Sequence, residues 1–262
     1  MQLEKNGNVI RKIKIGKTKI TIIFKETKLE ITPDTYTEFR LYEGRSVSDK
    51  EISEIKSRDR ITKLLKNALV SVSRGHPTKK AMREKLEAKG ASQEQISVIL
   101  DILTKSGLVD DQQFVKDYLD YATNKGYGQD RIIQGLYQKG VPQYLIKELK
   151  FDYNEEIKRA SSLLPRLEEK FARYNFASKK RHIYEALIRL GYNPGIALKL
   201  LDKIKKGSEK EEKNHLRKDY KIALRKYEEK SPKKVIEYLR SKGYRYNEIM
   251  AIMREENDHE MD

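Results

Sequence analysis

In the last two thirds of the chain, apolar residues fall at spacings of three and four on both sides of a recurring glycine, at Gly90, Gly140, Gly191 and Gly243. A leucine stands four residues before each one (Leu86, Leu136, Leu187, Leu239), and Met82, Ile132, Ile183 or Val235 four before that. After the glycine come Ile96, Ile146, Ala197 or Ile249, and then Ile99, Leu149, Leu200 or Ile252. This pattern predicts two amphipathic helices joined by a tight turn. The frame recurs about every 51 residues, which leaves room for one further helix per unit and exceeds the roughly 34 residues of a tetratricopeptide unit. The expected fold is mostly α, an elongated, curved array of four tandem three-helix repeats.

The four glycines are read as structural helix caps. A left-handed residue just past a helix brings the side chain four before it against the side chain one after it. Those pairs are Leu86 with Ala91, Leu136 with Val141, Leu187 with Tyr192 and Leu239 with Tyr244, all apolar. Residues 1–56 read differently. Val9–Ile15 and Lys19–Phe24 flank Gly16-Lys17-Thr18 as a β-hairpin, with Leu29-Glu30-Ile31 a third short strand. Thr32-Pro33 opens a short helix that Gly44 ends, and Ser48 with Glu51 opens another. The repeats are placed at 57–107, 108–154, 155–207 and 208–262, with first helices over 57–73, 111–124, 155–176 and 210–229. Pro165 should kink or restart the third of these. Glu256 stands where other units carry Leu103, Tyr153 or Ile204, which suits a terminal capping repeat, and residues 257–262 read as a frayed tail.

Charge is more informative than composition. Hydrophobic and charged residues are each 37% of the chain, enough for a lean core, and the net charge is +16. The excess concentrates in residues 155–207, while 111–154 are balanced. Such a surface attracts polyanions or acidic protein faces. The absence of cysteine excludes disulfide and thiolate-metal frameworks and suits the cytoplasm. Neither a signal-peptide pattern nor a membrane-spanning run is read from the sequence.

No P-loop, zinc-protease helix or nucleophile elbow is found, and His76, His182, His215 and His259 lie apart. No catalytic, cofactor-binding or metal-ligating residue is therefore assigned, and the protein is not read as an enzyme. Lys125-Gly126-Tyr127-Gly128 reads as a loop, and Asp110-Asp111 as a helix cap. Of the tyrosines, Tyr192, Tyr244 and Tyr153 are assigned to caps or cores rather than to base stacking. The residues that resist a structural reading are basic ones near the second-helix starts: Lys79, Lys80 and Arg83, Arg131, Lys179, Lys180 and Arg181, and Lys233 and Lys234. Positive charge there opposes the helix dipole. Together with free amides it would make anion sites along one edge, a basic stripe for phosphate or acidic side chains.

Several segments also resemble a known family. They are Leu86-Glu87-Ala88-Lys89-Gly90, Gly107-Leu108-Val109-Asp110-Asp111-Gln112-Gln113-Phe114, then Gly126-Tyr127-Gly128, Arg131-Ile132 and Lys139-Gly140-Val141. The chain resembles the RecX family of bacterial recombination regulators, most clearly over residues 60–150, and its amino-terminal hairpin resembles that of the longer Gram-positive members. The resemblance implies a non-enzymatic modulator that binds the RecA filament in its helical groove and inhibits ATP hydrolysis and strand exchange. Single- and double-stranded DNA are expected as secondary partners, no membrane partner is expected, and the expected state is a monomer. A sequence-independent DNA-binding repeat protein is the alternative.

Overall fold

The computed structural model describes residues 8–227 and 231–258. It divides into two compact bodies, one of residues 1–116 with 138–145 and one of 117–137 with 146–262.

In the first body, β2 (Lys12–Ile15), β3 (Ile20–Ile23) and β4 (Lys28–Ile31) form an antiparallel sheet in that order. Strands β1 (Asn8–Val9) and β5 (Ser46–Val47) pair separately. The long apolar run therefore breaks at Ile10, which turns into the core at 1% exposure. Alternation sends Ile20, Ile22, Leu29 and Ile31 inward against Leu41, Val47 and Ile55. The helix α1 (Pro33–Glu38) starts at Thr32, whose side chain accepts from Thr35 N. The start at Ser48 and the helix expected from residue 57 are one element, α2 (Asp49–Val72), because no breaker separates them. With α3 (Lys79–Glu87) and α4 (Gln93–Lys105) it buries Leu64, Ala68, Met82, Leu86, Ile96, Ile99 and Leu103. Ser92 and Gln95 form the capping box of α4.

The boundary between the bodies runs through the next triplet, α5 (Asp111–Asn124), α6 (Gln129–Gln138) and α7 (Gln143–Lys147). Helix α7 has only 5 residues, so Leu149 lies beyond it. In the second body, α8 (Tyr153–Lys170), α9 (Phe176–Arg189) and α10 (Pro194–Leu201) close over Ala160, Leu164, Ile183, Leu187, Ile196 and Leu200. Helix α8 does not restart at Pro165; the proline is on its exposed side, and the Ser162 hydroxyl bonds the Arg159 carbonyl at 2.7 Å. Helices α11 (Glu209–Tyr227), α12 (Pro232–Ser241) and α13 (Tyr246–Asp258) bury Leu216, Tyr220, Val235, Leu239, Ile249 and Ile252. Glu256 does not face outward unpartnered; it pairs with Arg217 at 3.4 Å and Lys221 at 3.8 Å. Residues 259–262 of the tail, including His259, lie outside the described residues.

All four closing glycines have positive φ, from 70° at Gly90 to 93° at Gly243. The Ala91, Tyr192 and Tyr244 amides reach back to the Leu86, Leu187 and Leu239 carbonyls, the expected Schellman bond.

Candidate interaction surface

Three of the four closing turns, those at Gly140, Gly191 and Gly243, do a second job, because the start of the preceding unit's second helix rests on them. In the first body, Thr78 accepts from Ala81 N at 3.1 Å as the cap of α3 and donates its hydroxyl proton to the Lys139 carbonyl at 2.7 Å. In the second body, Gly128 N donates to the Leu190 carbonyl at 2.7 Å, and Asp130 N to the Gly191 carbonyl at 3.0 Å. Asn175 Nδ2 and the Ser178 hydroxyl donate to the Lys242 carbonyl at 3.1 and 3.0 Å. Carbonyls left over at one helix end are thus satisfied by another helix start. The approach is close: a Cβ on Gly191 would collide with the Arg131 backbone, and one on Gly140 with the Lys80 side chain.

A carboxylate from the next unit's first helix completes each junction. Asp111 accepts from Lys79 N at 2.9 Å, Glu156 from Gln129 N at 2.8 Å, and both oxygens of Glu212 from Phe176 N at 3.1 and 3.2 Å. Asp59 repeats the device on Thr32 N at 2.6 Å. Asp111 and Glu156 are only 7% and 3% exposed, so these are buried, charge-assisted bonds. Desolvation works against the charged form of Asp59, but Lys63 at 2.6 Å and the Thr32 amide outweigh it and hold its carboxyl below the usual range.

These junction acids change the reading of the helix starts. Asp110 is the cap of α5, accepting from Gln112 N and Gln113 N, whereas Asp111 belongs to α3. The amides that were to bind anions at the starts of α3, α6 and α9 are already bonded inside the protein. Lys179, Lys180 and Arg181 lie beyond the first turn of α9, which begins at Phe176. Sequence reasoning missed Asp59, Glu156 and Glu212 because acids early in helices are common for dipole reasons alone. Their recurrence, one in the first helix of each unit, was the available signal.

The basic side chains themselves divide into committed and uncommitted groups. Arg131 lies over the Tyr127 ring at 4.1 Å and donates to the Arg189 carbonyl at 3.1 Å. Lys80 reaches Glu84 at 3.9 Å, Arg83 the Gln93 amide oxygen at 3.2 Å, Arg181 Glu185 at 4.0 Å, and Lys180 sits over Phe176 at 5.3 Å. Lys79, Lys179, Lys233 and Lys234 have no salt-bridge partner among the described residues. Tyr192 and Tyr244 are buried as expected, and the Tyr192 hydroxyl bonds the Gly126 carbonyl at 3.0 Å. Tyr153 is not a core residue: it opens α8 and is 53% exposed. His182 packs on Phe171 and Tyr174, with ring centroids 5.4 and 4.5 Å away.

An open cleft between α11 and α13 has Leu216, Ala251 and Ile252 in its wall. Three of its acids are already engaged, Glu212 on Phe176 N, Glu248 on Arg245 N and Glu255 with Lys213 and Arg217. Among the described residues no group of three His, Asp or Glu side chains is placed to hold a metal ion, and no helix is long and apolar enough to cross a membrane.

Residues 110–149, which carry Asp110, Asp111, Gly128 and Gly140, match the family described as RecX, second three-helix domain. The regulatory protein RecX of Streptococcus gordonii is 29% identical over 87% of this chain and 91% of its own length. The chain is similar to the RecX family along most of its length. The regulatory protein RecX of Bacillus subtilis is 26% identical over 86% of this chain and 89% of its own. A crystal structure of regulatory protein RecX aligns with a TM-score of 0.59 at 21% identity, covering 74% of this chain and 99% of that one. RecX from Lactobacillus salivarius aligns with a TM-score of 0.50 at 22% identity over 56% and 99%. These likenesses show that the fold is that of the RecX family, mostly helical with a small amino-terminal strand region.

Proposed function

We propose that this protein is a non-enzymatic, cytoplasmic regulator of homologous recombination that acts as a monomer. It binds the RecA filament in its helical groove and lowers the rates of ATP hydrolysis and strand exchange. The observation that carries this reading is the near full-length match to relatives named regulatory protein RecX. Physical support comes from the division of charge. The junction acids are consumed inside the protein, while Lys79, Lys179, Lys233 and Lys234 are left for an acidic or phosphate-bearing partner.

The net charge of +16 and the exposed rings of Tyr121, Tyr137 and Tyr153 favour a second reading, a sequence-independent DNA-binding repeat protein. One titration separates the two. The protein is added to a recombinase filament on single-stranded DNA with ATP, and, separately, to the bare strand at the same salt. A filament regulator suppresses ATP hydrolysis well below the concentration that coats the strand. Coincident midpoints would favour the plain DNA binder.

A further inference from the structure

The outer face of the amino-terminal sheet is unlike the rest of the first body. Register places Lys12, Ile23 and Lys28 in one cross-strand row and Lys14, Thr21 and Glu30 in the next. Lys12, Lys14 and Lys28 are exposed, and Lys17 and Lys25 extend the charge into the two turns. Glu30 is the acid within these rows, and Lys19 already neutralises it at 3.1 Å. The hydrogen bond and charge of Lys19, with weaker contributions from Lys28 and Lys63, hold the Glu30 carboxyl below its ordinary range. Lys12, Lys14, Lys17, Lys25 and Lys28 have no salt-bridge partner among the described residues.

We infer that this sheet face is a docking surface for the phosphate backbone of nucleic acid, engaged without regard to base sequence. Lysine is depleted in the cores of protein interfaces, which favour aromatic residues and arginine. It is well suited to phosphate, which it contacts as a point charge. The central rows hold no ring on which a base could stack. Side chains two apart on a strand are roughly 7 Å apart and neighbouring strands about 4.8 Å apart, so the lysines form a grid on the scale of successive phosphates in an extended strand. Edge lysines also serve to block pairing with foreign strands. That need is already reduced along β2, where Ile13 N donates to Glu43 at 2.8 Å.

The inference is independent of the recombinase reading and is tested without recombinase. The full chain and its Lys12→Glu, Lys14→Glu, Lys28→Glu triple variant are titrated against two duplex oligonucleotides of unrelated sequence across a salt series. Each phosphate contact contributes about 0.9 to the slope of log affinity against log salt. The variant should lower that slope by about 2 to 3 and weaken low-salt binding at least tenfold, equally on both sequences. A second variant with glutamine at the same three positions should show an intermediate loss and a thermal midpoint like the parent's, and it decides the matter if the charge-reversed chain folds poorly. Unchanged affinity and slope in the glutamine variant would overturn the inference. So would a loss confined to an acidic polypeptide such as polyglutamate, with duplex binding intact.

Discussion

At Gly191 two independent demands meet, a left-handed backbone with φ 87° and the Arg131 backbone lying where a Cβ would go. Gly90 meets only the first, since the nearest atom to its would-be Cβ is the end of the Arg60 side chain at 3.5 Å. Left-handed backbone costs a non-glycine residue roughly 1–2 kcal/mol, and a forced junction adds to that. Gly90→Ala should therefore cost about 1–2 kcal/mol in urea unfolding and Gly191→Ala clearly more. Equal losses would mean that the junction is looser than described. Glu156 offers a parallel comparison. Glu156→Ala leaves the Gln129 amide without its acceptor, a loss of about 1–3 kcal/mol, whereas Glu156→Gln keeps an oxygen there and should lose less. Hydrogen exchange at the Gln129 amide should quicken in the alanine variant first. The glycines were legible in the sequence because helix termination alone requires them. Their close contacts were not, since those depend on which unit lands on which turn.

Among elements, the first helices carry more than their amphipathic pattern reveals. Each inserts one acid into the start of another helix, and the spacing from that acid to the closing glycine varies with loop length, so no fixed motif marks it. The second helices and their apolar stripes were readable from period alone, as was the hairpin. The merger of two expected starts into α2 was not, because capping residues are permissive signals that a continuous helix can absorb. For Asp59 the consequence is a pH dependence with a definite sign. Its carboxyl titrates lower in the folded chain than in the unfolded one, so the unfolded state binds the proton more readily. The stabilisation is fully present above about pH 4, the ordinary aspartate value, and drains away as pH falls through the lowered folded value. Asp59→Asn should flatten the acid limb of stability against pH while leaving the neutral region nearly level. An acid limb identical in the two proteins would show that Asp59 is not held as described.

Over the whole molecule, the charge that holds the fold together is distinct from the charge proposed to meet a partner. Arg131 is on the structural side, stacked on Tyr127 and bonded to the Arg189 carbonyl, and its replacement should disturb stability before binding. Lys79, Lys179, Lys233 and Lys234 are the cations proposed to meet the partner. The family was legible from its junction segments because those segments are the fold's own requirements, whereas the surface that meets a partner leaves no such periodic trace. The most direct measurement is the inhibition of filament ATP hydrolysis by a chain in which all four of these lysines are changed to glutamate, compared with the parent at moderate salt. At least a tenfold rise in the concentration needed for half-inhibition is expected, with an unchanged thermal midpoint; half-inhibition at the parent's concentration would rule these lysines out as the contact surface.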